Sequence, residues 1–320
     1  MLRVSRKSRS AGHALNSAQT KRRLSIVIAA HNAEQVIVAC LSALTQQIDP
    51  QQDEIIVVDS SSDGTPGIVT ASFPTGRLIH FDEPLTIPQL RGRGIAASNG
   101  EIIAILDPYS IVSAGWAQEV VKAHRERPNV VIGGTVDLYH EDRRGFFDWA
   151  LYINEYGMFM SPVPEGEMEI LPGSNISYKR HVLFDGSTPR FSEFWKTFIN
   201  KDTESAGSAL WLAPAIHVGL WKPIPFLDFL SSRYDHGRCF AGMRNPQASV
   251  VERFYRAVTA PILPFVFLYR WGRRYWSRQR RRKEFLLTLP LQFLLFGNWA
   301  WGEFVGYCFG PGRSCQKLFY

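Results

Sequence analysis

Cysteine is scarce, with only Cys40, Cys239, Cys308 and Cys315 in 320 residues. The four are widely spaced and no C-x-x-C occurs. Neither a disulfide framework nor a zinc site is therefore expected, and a reducing cytoplasm fits. No apolar h-region precedes Leu24, which argues against a secretory signal. No internal repeat is visible. Acidic residues are missing from two stretches, Met1–Arg23 and Arg273–Lys283, each with seven Lys/Arg. The rest of the chain has 22 basic against 29 acidic residues, a balance of −7 under a formal net charge of +7. The high isoelectric point thus belongs to two segments, and nucleic-acid binding across a domain is not implied. Basic segments beside apolar ones fit an anionic membrane surface instead. For the N-terminal arm, a plain solvated tail is the alternative.

What is present is a long alternation of strand and helix patterns. The chain is 45% hydrophobic, ample for a large core. Leu24–Ala30 and Glu54–Val58 are continuous apolar runs of strand length, as in a sheet buried on both faces. Glu101–Leu106 and Val130–Val136 read as further strands, and Arg77–Phe81 is a candidate third strand. Helical patterns lie between them at Ala33–Gln47, Gly67–Phe73, Ile87–Ser98 and Ala114–Arg127. This order predicts an α/β fold with a mostly parallel sheet and right-handed crossovers. Beyond it, Phe146–Met160, Phe191–Ala206 and Phe226–Arg244 read as helices. Leu171–Tyr178 reads as a loop into a strand, and Leu210–Val218 as a strand around Pro214. Three regions follow: a basic disordered arm at 1–23, an α/β domain at 24–245, and an apolar and basic helical segment at 246–320.

The last segment contains Phe285–Gly302, 18 residues without a charge. That is the lower limit for a spanning helix, and a single span at 285–302 stays open. Two spans would put the seven-charge loop on the far side, against the positive-inside tendency. The preferred expectation is a hairpin of interfacial or re-entrant helices. Its Arg/Lys would lie at the headgroups, and Trp271, Trp276, Trp299 and Trp301 at the interface. A helical pair buried on the domain is the alternative.

Asp107 is the first candidate for chemistry. It ends the strand Glu101–Leu106, and ligands of open α/β sheets bind beyond the carboxyl ends of strands. A carboxylate there suits a phosphate-bound metal or a sugar hydroxyl. It also suits a simple turn with Pro108.

Four stretches, in order, resemble family 2 glycosyltransferases of the GT-A fold. They are LSIVIAAHNAEQVIVACLSALTQQ, EIIVVDSSSDGT, RGRGIAASNGEIIAILDPYS and LPGSNISYKR. The resemblance runs over about Leu24–Arg244. The tail, up to GEFVGYCFGPG, is similar to that of bacterial membrane-associated members. The resemblance implies a nucleotide-sugar donor across the first strand ends. Ala30, His31 and Asn32 would touch the base, Asp59 the base or ribose, and Arg91, with Arg93 nearby, the diphosphate. It also implies a divalent metal, Mg²⁺ or Mn²⁺, held by an Asp-x-Asp motif.

Here that motif reads Asp107-Pro108-Tyr109, so Asp107 is the metal candidate and Tyr109 stands in the second place. A phenol is a poor ligand at neutral pH. A metal-binding His is looked for at Leu220; His217 lies nearby. The family's base, counted back from Ala206-Gly207, falls on Trp195 and Lys196. Glu193 is the nearest acid, and it can serve only if it precedes the helix. Gly173, Ser174 and Asn175 would line the acceptor side. Arg233, His236 and Arg238 are candidates to replace the metal's charge at the diphosphate.

The implied reaction is inverting sugar transfer to an acceptor hydroxyl. The acceptor would be a sugar or lipid-linked, in surface polysaccharide assembly at the cytoplasmic face of the inner membrane. Two other readings remain. One keeps the fold, loses the chemistry and leaves a membrane-tethered binding protein. The other is a nucleotide-binding α/β protein unrelated to sugars.

Overall fold

The computed structural model describes residues 22–319. The disordered reading of residues 1–21 lies outside them. The first half alternates as its apolar runs dictate. β1 (Arg22–Ala30), α1 (Ile37–Thr45), β2 (Asp53–Asp59), α2 (Thr65–Ser72) and β3 (Arg77–His80) come first. They are followed by α3 (Ile87–Ala97), β4 (Gly100–Leu106), β5 (Ser110–Val112), α4 (Trp116–Glu126) and β6 (Val130–Leu138). Arg22 and Arg23 belong to β1, not to a disordered arm. Arg23 Nη2 pairs with the buried Asp53 at 2.7 Å and ties the strand start to β2.

The middle contains α5 (Phe146–Glu155), β7 (Gly166–Glu167), β8 (Asn175–Lys179), α6 (Arg180–Leu183), β9 (Phe184–Asp185) and β10 (Thr188–Pro189). Then come α7 (Lys196–Ser205), β11 (Ala209–Leu220) and α8 (Phe226–Arg244). The sheet order is β3-β2-β1-β4-β8-β6-β11-β5, with β7 on β11. β3, β2, β1 and β4 run parallel, as do β6 and β11. β8 is antiparallel to both its neighbours, β4 and β6. The result is a mixed, mostly parallel sheet. Ile26, Ile28, Ile103 and Ile105 are fully buried in it. Ala30 pairs with Asp59, and Ile28 with Leu106. The ends of β1, β2 and β4 therefore share one edge, where their loops meet.

One expected helix start is corrected. Phe191–Trp195 is not helical, and α7 begins at Lys196. Phe194 N donates to Pro88 O at 2.8 Å, so this stretch is pinned to α3 instead. Gly92 makes the crossing possible, because a Cβ there would lie 2.1 Å from Ser192 O.

The tail folds as α9 (Val250–Thr259), α10 (Leu263–Arg278) and α11 (Arg282–Phe309). α11 packs closely on α8. A Cβ on Gly237 would meet Trp299 O at 2.2 Å, and one on Gly302 would meet Tyr234 O at 2.2 Å. Gln292 Nε2 donates to Ala150 O at 2.8 Å, which fastens α11 to α5. Among the described residues no helix is long and apolar enough to cross a membrane.

Several basic and aromatic residues expected at headgroups are engaged by the protein. Arg278 donates to the carbonyls of Gly157, Met158 and Met160. Arg280 and Arg281 both pair with Glu141. Trp271 Nε1 donates to Ile153 O at 2.8 Å. Trp276 and Trp301 remain exposed. The expectation of no disulfide is also corrected, since Cys239 and Cys315 are bonded across 76 residues. Spacing in the chain says nothing about such a long closure; the fold supplies it by bringing the segment after α11 back onto α8.

Candidate active site

Beyond the end of β4 lies a cavity of about 260 Å³. Asp107 reaches it from the end of β4 and Arg91 from α3. Tyr109, Gly173, Ser174, Arg233 and His236 also line it. So do Glu155, Tyr156 and Lys196, which the sequence reading left out or passed over, and Trp299, expected at a membrane interface but facing this cavity from α11.

Asp107 is 5% exposed and already occupied. Arg91 Nη2 donates to its Oδ1 at 2.5 Å, and Tyr156 OH to its Oδ2 at 3.5 Å. Burial disfavours the Arg91 charge, but Asp107 outweighs burial and raises its pKa. Tyr109 cannot supply a second anionic ligand. Burial, then Asp107 and Glu155, push its phenol well above the ordinary value. Among the described residues no group of three His, Cys, Asp or Glu could hold a metal ion. A guanidinium stands where the carboxylate would meet a cation, so these residues do not fit the Asp-x-Asp metal site.

The cavity is instead rich in cations. Arg91, Lys196 and Arg233 face Asp107 and Glu155. Glu155 is bound by Lys222 at 3.3 Å. Burial alone would raise its pKa; Lys222, Arg233 and His236 reverse this and hold it at about 2. A carboxylate so stabilised is a weak base. His236 is lowered to about 3, first by burial and then by Arg233, and is neutral at pH 7. Lys196 is lowered to about 8, by burial and by Arg91, against the pull of Glu155 and Asp107. Arg91 Nε, Arg233 Nε and Ser174 Oγ are buried without a hydrogen-bond partner among the described residues. Unmet buried donors are costly, and an anion entering this cavity would satisfy them.

The other expected site residues lie elsewhere. Glu193 precedes α7, as a base at that position would need to, but it lines a neighbouring groove with Gln89 and Arg93. Both its oxygens are held, one by Gln89 Nε2 at 3.2 Å and one by Trp195 Nε1 at 2.7 Å. The family-counted positions Trp195 and Lys196 are the ones that reach the cavity. Arg238 turns away, its Nε donating to Gly310 O at 3.2 Å. Asn175 is an internal brace: Trp116 Nε1 donates to it, and it donates to the carbonyls of Thr135 and Ile216. His217 bonds Thr135 Oγ1 at 3.0 Å and does not line the cavity.

Beyond the end of β1, His31 and Asn32 line a smaller space with Asp107 and Tyr109. Ala30 is buried in the end of β1. Asp59 is fully buried, accepting from Ser61 Oγ at 2.5 Å and from His80 Nδ1 at 2.7 Å.

The comparisons with known proteins agree with this architecture. The family model described as "Glycosyl transferase family 2" matches residues 25–201. Polypeptide N-acetylgalactosaminyltransferase 13 of Rattus norvegicus is 25% identical over 206 residues, which is 58% of this chain and 36% of that protein. Putative glycosyltransferase EpsH of Bacillus subtilis (strain 168) is 27% identical over 111 residues, 34% of this chain and 32% of that protein. The chain thus spans about a third of the length of these relatives. Among solved structures, mannosyltransferase PcManGT from Pyrobaculum calidifontis, in complex with GDP-Man and Mn²⁺, is similar with a TM-score of 0.52. That likeness, at 16% identity over 72% of this chain and 66% of the other, is one of fold.

Proposed function

The chain belongs to glycosyl transferase family 2, and on that premise we propose that it moves a sugar from a nucleotide-diphosphate sugar to an acceptor hydroxyl by inverting displacement. One observation carries this reading. Asp107, at the end of β4, faces a cavity whose Arg91 and Arg233 have buried Nε donors without partners among the described residues. As the bond from sugar to diphosphate breaks, negative charge grows on the leaving oxygen. Arg91, Lys196 and Arg233 are fixed cations positioned for that charge, and cations set before the reaction need no reorganisation. Arginine also fits phosphate geometry in two-point contact. Asp107 fixes Arg91 at the cavity, while Gly173 and Ser174 line the acceptor side. Arg238 and Asn175 have no part in this arrangement.

Donor turnover is measured with purified protein, with and without a chelator. Turnover should persist in excess EDTA and fall less than threefold in Glu193→Ala. Loss in EDTA with recovery on Mn²⁺ would return the diphosphate to a metal. Loss in Glu193→Ala alone would restore that residue as the base. The binding-protein reading predicts donor binding without turnover under every condition.

A membrane setting is also part of the proposal. Val250, Val251, Phe254, Tyr255 and Val258 form an exposed apolar face of α9 at helical spacing. Exposed Ile262, Phe265 and Tyr269 extend it into α10, towards Arg270 and Arg273. An apolar strip with arginines at its end fits an anionic bilayer surface, where the helix lies in the plane. It fits a lipid-linked acceptor in surface polysaccharide assembly at the cytoplasmic face of the inner membrane. Wild-type protein should float with vesicles containing anionic lipid, and Val251→Glu/Phe254→Glu should stay in the soluble fraction. Equal flotation of both would end the assignment.

A further inference from the structure

The segment after α11 doubles back over the donor side of the cleft. Cys315 is tied to Cys239 of α8. Leu318, 3% exposed, accepts from Ile87 N at 2.9 Å and lines the main cavity. Phe319 stacks on His31, with ring centroids 4.9 Å apart and planes 27° apart. His31 is the aromatic residue of the loop assigned to the donor base, and Phe319 covers the ring face on which a base in that loop could stack. With Phe319 present, the space beside His31 and Asn32 is about 70 Å³. Small-molecule sites are usually roughly 300–1,000 Å³. A nucleoside cannot enter while the ring is there.

We infer that Leu318 and Phe319 form a plug over the donor-base pocket, tethered by a redox-sensitive bond. The inference rests on the donor assignment proposed above. The disulfide keeps Phe319 at high local concentration beside His31, so the plug rebinds faster than it would on a free strand. A dithiol opens the tether. It passes two electrons and two protons to the Cys239–Cys315 bond, giving two cysteine thiols, and leaves as its own disulfide. The plug then competes only through the stacked ring, the buried Leu318 side chain and the Ile87–Leu318 hydrogen bond.

The test is binding of UDP and GDP to the full-length protein by calorimetry, oxidised and after dithiothreitol. Thiol titration under denaturing conditions identifies the state. Oxidised protein should show Cys40 and Cys308 only, and a count of all four cysteines in air-exposed protein would overturn the tether. Reduction, or Cys315→Ser, should tighten binding about tenfold, as when a competent state rises from about a tenth of the population. Phe319→Ala should do the same with the disulfide intact, and Phe319→Trp should restore weak binding. Circular dichroism melts check that each variant is folded. Equal affinity in all forms would overturn the plug and leave the donor site standing. Weaker binding in Phe319→Ala would make the ring part of the base site and also overturn it. No nucleotide binding in any form would remove the donor assignment itself.

Discussion

Arg91→Ala is expected to lower kcat/KM for donor turnover by about 10²–10³-fold and to cost the fold about 3–5 kcal/mol. Both effects come from one geometry. The Arg91 and Asp107 side chains are 13% and 6% exposed, and they meet at 2.5 Å. Removing the guanidinium leaves Asp107 buried with only the Tyr156 hydroxyl. An unpaired buried charge is far costlier than the loss of a surface ion pair. Asp107→Asn should cost less, because the amide is neutral, yet it leaves Arg91 without its anchor. Urea unfolding and turnover of Arg91→Ala, Asp107→Asn and the double variant give a thermodynamic cycle. A coupling well above 1 kcal/mol is expected for groups in contact. Additive single effects would show that the two residues do not act as a unit.

Lys196 should set the alkaline limb of activity. Its pKa is lowered from 10.5 to about 8, so the cation near the leaving group disappears as pH rises through about 8. Turnover at low donor concentration should fall along that limb, and Lys196→Ala should lose about 10²-fold at pH 7. Lys196→Arg keeps its charge and should move the limb upward by more than two pH units. Stability runs the other way. The unfolded chain holds the Lys196 proton up to about pH 10.5 and the folded chain only up to about 8, so unfolding takes up a proton in between. The Lys196 contribution therefore stabilises the fold as pH rises through that window. Falling activity with a gaining Lys196 contribution separates lost charge from alkaline unfolding. A limb that rises through pH 8 would mean that neutral Lys196 acts as a base.

Much of the fold was legible because parallel strands buried on both faces leave unbroken apolar runs, as in β1 and β4. β8 was found, but its antiparallel direction was not, since a five-residue strand carries no mark of polarity. Asp107 was legible from its position after a strand, and Arg91 from the family resemblance. Glu155 and Tyr156 were not, because they end an aromatic helix and only the fold turns that end into the cavity. Lys196 stood at the counted base position and was passed over because its charge has the wrong sign for that role. Glu193 shows the opposite failure. It has suitable chemistry and precedes α7, but Gln89 and Trp195 hold it in the next groove. The Cys239–Cys315 bond left no signal at all, since only the return of the tail brings the two residues together.

Trp299 of α11 lines the same cavity as Asp107. This bears on the order in which the protein is made. Strands β1 to β4 can pair as they leave the ribosome, but the wall of the cleft waits for a helix near the other end of the chain. Contacts of such long range form slowly, and α11 carries exposed apolar groups until α8 receives it. A nascent chain lacking that helix would therefore have its sheet assembled and its cleft still open on one side. Until α11 docks, the apolar side chains it will bury stay exposed, a condition that favours aggregation.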